Sequence, residues 1–103
     1  MIKVNCVVSN ELIESVTIKG HADYASYGKD IVCAAVSSIV TTTVNDILTL
    51  DDKAINYDTN DGSVEITVIQ DNVIANKLLN TMLNMLKELA DNYPKNIKIG
   101  GLK

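Results

Sequence analysis

At 103 residues the chain has room for one domain, which would bury roughly 60–70% of its unfolded surface and so need no disulfide or metal staple. A composition of 47% hydrophobic and 21% charged residues reads as globular, and two cysteines are too few for a disulfide framework. The net charge of −4 and the absence of arginine argue against direct nucleic-acid binding, because phosphate recognition relies on arginine forks and basic patches.

Residues 2–8 alternate, with Ile2, Val4, Cys6 and Val8 on one face and Lys3 and Asn5 on the other, which predicts a half-buried strand. Ser9-Asn10-Glu11 is polar and turn-like. A second strand runs to about Lys19 with Val16 and Ile18 inward, and the two are expected to form a hairpin. Residues 20–29 form a polar loop with Gly20 and Gly28 near its ends. Asp30 is expected to cap a helix from Ile31 to about Leu48. Val32, Val36, Ile39, Val40, Val44, Ile47 and Leu48 recur there at helical spacing, although Val, Ile and Thr are poor helix formers. The narrow polar face implies burial on two sides, against the sheet and against a second subunit.

A third strand is expected near Ala54–Tyr57, a hairpin turn at Asn60-Asp61-Gly62 and a fourth strand over Ser63–Gln70. Asp71 is expected to cap a second helix from Asn72 to about Asn92, with Ile74, Leu78, Met82, Leu86, Leu89 and Tyr93 as its apolar stripe and Pro94 as its stop. Lys95–Leu102 completes the set as a short strand. The expected fold class is α+β, a two-layer sandwich in the order strand-strand-helix-strand-strand-helix-strand, with a mixed sheet and two helices on one of its faces. Residues 1–103 are read as a single domain. No apolar run is expected to reach the ~18 residues of a membrane span. The opening Met1-Ile2-Lys3-Val4-Asn5 reads as strand rather than leader, so the expected location is the cytoplasm and no membrane partner is expected.

The chemistry concentrates between residues 20 and 37. His21 is the single histidine, and Cys33 follows twelve residues later. With Asp30 as cap, Cys33 falls in the first helical turn, where unpaired amides and the positive end of the helix dipole stabilise a thiolate and could receive an oxyanion. His21 is the one side chain whose ordinary pKa lies near neutrality, so it suits the exchange of a proton with a thiol and then with a leaving amine. Gly20 and Gly28 permit sharp turns or close approach to a substrate. Ser37 shares a helix face with Cys33. An extended substrate is expected in a groove between the 22–29 loop and the first helix. Against this stand blander readings: a cysteine in an Ala-Val helix is commonly a small buried hydrophobe, and Cys6, in phase with Ile2 and Val4, is read as one. Cys6, His21 and Cys33 are too few for a structural zinc site, and no cofactor is expected.

Gly20-His21-Ala22, Gly28 and Asp30-Ile31-Val32-Cys33-Ala34-Ala35-Val36-Ser37 together resemble the signature of the bacterial ribosomal-processing cysteine protease family, Prp. The likeness extends over nearly the whole chain, with no departure at the fixed positions. It implies a small cytoplasmic endopeptidase that removes the N-terminal extension of large-subunit ribosomal protein number twenty-seven. It implies Cys33 as nucleophile and His21 as its base. Gly20, Asp30 and Ser37 match further positions of the motif, and Ala22 and Gly28 complete the supporting set. The resemblance also implies a homodimer and a basic substrate, in keeping with the acidic balance of this chain. Two other readings of the residues are a non-catalytic module that holds a ribosome-assembly intermediate and a thiol redox sensor.

Overall fold

A computed structural model describes residues 1–20, 27–60 and 62–101, with the backbone alone described for 27–30. Strands β1 (Ile2–Ser9) and β2 (Leu12–Lys19) precede helix α1 (Tyr27–Leu50), and strands β3 (Ile55–Asn60) and β4 (Ser63–Val68) precede helix α2 (Val73–Asn92); strand β5 (Ile97–Gly100) is last. The strands form one sheet in the order β3-β4-β2-β1-β5. Among the described residues only the β1–β5 pair is parallel; β1–β2, β2–β4 and β3–β4 are antiparallel. This is the mixed α+β architecture expected from the sequence.

The alternation of β1 explains why both helices lie on one side. Ile2, Val4 and Cys6 are buried, whereas Lys3, Asn5 and Val7 are exposed on the opposite face. The buried face, with Val16, Ile18, Ile66 and Ile97, meets Val32, Val36, Val40, Val44 and Ile47 of α1 and Ala75, Leu79, Met82, Leu83 and Leu86 of α2 in one core. Each fully buried large aliphatic side chain contributes about 1.5–3 kcal/mol.

One irregularity in the β1–β2 pair was not legible from alternation. Val7 faces Ser15 but Val8 faces Ile13, so Glu14 is an extra residue and β2 bulges there. The bulge lets Ile13 and Val16, three residues apart, point into the same core. The β2–β4 ladder begins only at Ser15. Beyond it, buried Asn76 of α2 takes the place of a strand: its Oδ1 accepts from the Ile13 amide at 2.7 Å and its Nδ2 donates to the Ile13 carbonyl at 3.3 Å. This clamp fixes the rotation of α2. It turns Ala75, Leu79 and Leu83 inward and leaves Ile74, expected in the apolar stripe, 53% exposed.

Other boundaries also differ from expectation. α1 starts at Tyr27, so Asp30 is not its N-cap but its fourth residue. α2 is capped by Asn72 rather than Asp71, with the Asn72 side chain accepting from the Ala75 amide at 2.9 Å; Asp71 instead takes a positive φ of 51°. β3 begins and ends later than expected, at Ile55 and Asn60, and β4 stops at Val68. Ile31–Leu50 is long and apolar enough to cross a membrane, which corrects the expectation that no segment is. In this fold its Val-rich stripe is core, and its exposed arc, far from narrow, carries Ser37, Ser38, Thr41, Thr42, Asn45 and Asp46. Thr43 and Thr49 return their hydroxyls to carbonyls four residues back, which satisfies them inside the helix.

Candidate active site

Helical spacing places Cys33, Val36, Ser37, Val40 and Thr41 on a single strip of α1, and that strip forms one wall of a cleft of about 300 Å³. The facing wall is the β3–β4 hairpin, through Tyr57, Thr59, Asn60, Gly62, Ser63 and Val64; Ile2, Ile18 and Gly20 close the remaining side. The described lining residues carry no formal charge, so the cleft combines aliphatic walls with hydroxyl, amide and thiol groups. Cys33 is partly buried, with its body against the core.

Gly20 lines the cleft at a position where no side chain fits. Its φ of 94° lies in the left-handed region, and a Cβ there would collide with the Met1 carbonyl oxygen. Its amide donates to the Gly62 carbonyl at 2.9 Å, which ties the end of β2 to the tip of the β3–β4 hairpin. The same glycine therefore lines the cleft and immediately precedes His21 in the chain.

The structure brings Gly20, Cys33 and Ser37 to one cleft. His21 and Ala22 lie outside the described residues, as do the side chains of Asp30 and of Tyr27; Gly28 belongs to the first turn of α1. The expected position of Cys33 in the first helical turn is corrected. Cys33 is the seventh residue of α1, so its amide is inside the i→i−4 ladder and the dipole effect, which fades beyond the first turn, does not provide the field expected for the thiolate. The expected groove between the 22–29 loop and the first helix falls partly outside the described residues; the described groove has the hairpin as its second wall.

Tyr57, Thr59, Asn60 and Ser63 were missed as site residues. The Asn60-Asp61-Gly62 signal identified the hairpin, but no local feature says that its tip packs beside β2 and faces α1. Cys6 contrasts with Cys33: it is 4% exposed, and desolvation pushes its thiol pKa above the ordinary 9.0. Among the described residues no three His, Cys, Asp or Glu side chains are grouped to hold a metal ion.

Comparison with known proteins bears on this cleft. A family model described as Cysteine protease Prp matches residues 1–98. Two Staphylococcus aureus proteins, of strains Mu50 and NCTC 8325, both named Ribosomal processing cysteine protease Prp, are 40% identical over 103 residues, covering 96% of this chain and 97% of each relative. A crystal structure of an essential ribosomal processing protease Prp from S. aureus in complex with a substrate peptide is similar with a TM-score of 0.90 and 32% identity, covering 99% of this chain and 100% of that one. A second, with a covalently linked product peptide, has a TM-score of 0.88 and 33% identity over the same shares.

Proposed function

The chain belongs to the cysteine protease Prp family, and from that premise we propose that residues 1–103 act as a single cytoplasmic protease domain that removes the N-terminal extension of large-subunit ribosomal protein number twenty-seven. The observation that carries this reading is the cleft itself, which Cys33 and the residue preceding His21 both line. The relatives named for ribosomal processing, and the one holding a covalently linked product peptide, support a covalent thiol route.

In this mechanism His21 takes the Cys33 proton as Sγ attacks the scissile carbonyl carbon. The tetrahedral intermediate collapses with cleavage of the C–N bond, and the imidazolium gives its proton to the departing amine. Water, deprotonated by His21, then attacks the thioester, which releases the new carboxyl group and restores the thiol. Ser37, one turn along the same helical strip, is the supporting hydroxyl. Gly20, Ala22, Gly28 and Asp30 are the remaining supporting positions of this proposal, taken from their match to the family motif. A homodimer is part of the proposal; an exposed apolar groove between the helices, with Ile39, Leu78 and Met85, supports it.

The test is incubation with the N-terminally extended ribosomal protein, followed by weighing of the products. The wild type is expected to release the extension as one peptide, whereas Cys33→Ser and His21→Ala leave the substrate intact. Full cleavage by both variants, or an intact substrate with the wild type, would overturn the assignment.

A further inference from the structure

The two edges of the sheet differ in how they are protected. β5 is four residues long, carries Lys98 and follows Pro94 closely, features that discourage further pairing. β3 is six residues long, with neither lysine nor proline, and among the described residues no strand pairs with its outer edge.

The register shows which groups that edge presents. The register pairs Asn60 with Ser63, and the Ala54 carbonyl accepts from the Ile69 amide at 2.9 Å, which sets the phase of the alternating hydrogen-bonded pairs along the ladder. Even-numbered residues of β3 therefore bond to β4. Ile55, Tyr57 and Thr59 direct their amides and carbonyls away from it. Tyr57 and Thr59 also line the cleft that contains Cys33. Asp58, between them, stands exposed opposite exposed Glu65, a like-charge pair that a basic neighbour would relieve.

We propose that the substrate tail binds as a sixth strand on β3, bonding through the outward amides and carbonyls of Tyr57 and Thr59, so that alternate side chains enter the cleft facing Cys33. The inference rests on the protease reading above and specifies how that site holds its substrate. Strand addition suits a protease because it fixes an extended backbone by main-chain hydrogen bonds, leaving side-chain pockets to choose the sequence. Carboxylates on the outer face favour a tail with lysine or arginine opposite Asp58.

Three measurements test this. In the first, a synthetic peptide carrying the extension is N-methylated at one amide at a time. Strand addition predicts an alternating pattern, in which the positions facing β3 raise KM by about tenfold, as expected for one lost hydrogen bond plus the added bulk. A flat pattern across the scan overturns the proposal. In the second, amide exchange is followed in Cys33→Ala with the intact peptide bound. The Tyr57 and Thr59 amides are expected to slow by about tenfold or more, as exposed amides do on joining a ladder. Unchanged exchange at both overturns it. Thr59→Pro removes an outward amide without breaking the β4 ladder and is expected to raise KM while the melting temperature stays within a few degrees. Cleavage by the wild type with no alternation rejects strand addition alone; a wild type that never cleaves removes the protease reading and this inference with it.

Discussion

The two cysteines are the same side chain in opposite settings, and the difference shows what makes a thiol available for chemistry. Cys6 lies mid-strand, opposite Val16 in a sheet whose inner face is covered by both helices. Its burial favours the neutral thiol and excludes reagents. Cys33 lies on a helical strip where the core ends and a cleft begins, packed on one side and open on the other. A thiol sensor would need a resolving partner in reach, and the buried Cys6 is poorly placed for that role.

The comparison breaks most sharply in activity. Cys33→Ala is expected to lower cleavage of the extended ribosomal protein by about a thousandfold or more, as removal of a nucleophile does. Cys6→Ala should stay within about twofold at temperatures where the protein is folded, since residues that touch no reacting group move rates little. Product mass spectrometry over time measures both; comparable losses would erase the distinction.

Gly20→Ala tests whether the open side of the contrast depends on the glycine that lines the cleft. A side chain there meets the Met1 carbonyl at a positive φ, and the expected loss is about 1–3 kcal/mol in urea unfolding together with a fall in cleavage. Cys6→Ser addresses the buried side. A hydroxyl in place of the thiol must find a partner inside the core, and the expected loss is about 1–3 kcal/mol, against less than about 0.5 kcal/mol for Cys33→Ser at its partly open site.

The smallest effect is in pH. The Cys6 thiol has a folded-state pKa raised by desolvation above the ordinary 9.0. The folded chain then holds its proton longer than the unfolded chain, so this contribution is fully present below pH 9.0 and is lost as pH climbs towards the folded value. Unfolding midpoints of wild type and Cys6→Ala should diverge in slope only above that pH. Identical slopes would remove burial as the cause.

Much of this was legible in residue order. Alternation in residues 2–8, helical spacing in 32–48 and 74–93 and the Asn60-Asp61-Gly62 turn place the first strand, both helices and the β3–β4 hairpin, because periods of 2 and 3.6 are properties of the local backbone. The pairing of Cys33 with Ser37 on one helical strip, and the glycine before His21, followed from the same local rules. The start of α1 did not. Polar Asp30 marked a plausible cap, but a helix extends as far as its backbone bonds and neighbours allow, and here it extends to Tyr27. That shift of one turn removes the helix-end field from Cys33.

The sequence by itself determined the chemical inventory and its family: one histidine, a cysteine on a helix, a glycine that permits a sharp turn, and an acidic chain without arginine. The tertiary structure alone decided which groups share space. Asn76 reaches Ile13 across 63 positions to replace a missing strand. The β3–β4 hairpin becomes the second wall of the cleft, and β3 and β5 become the two edges of the sheet. Contacts of this kind depend on how the sheet is ordered and how the helices are rotated upon it, and no window along the chain contains that information.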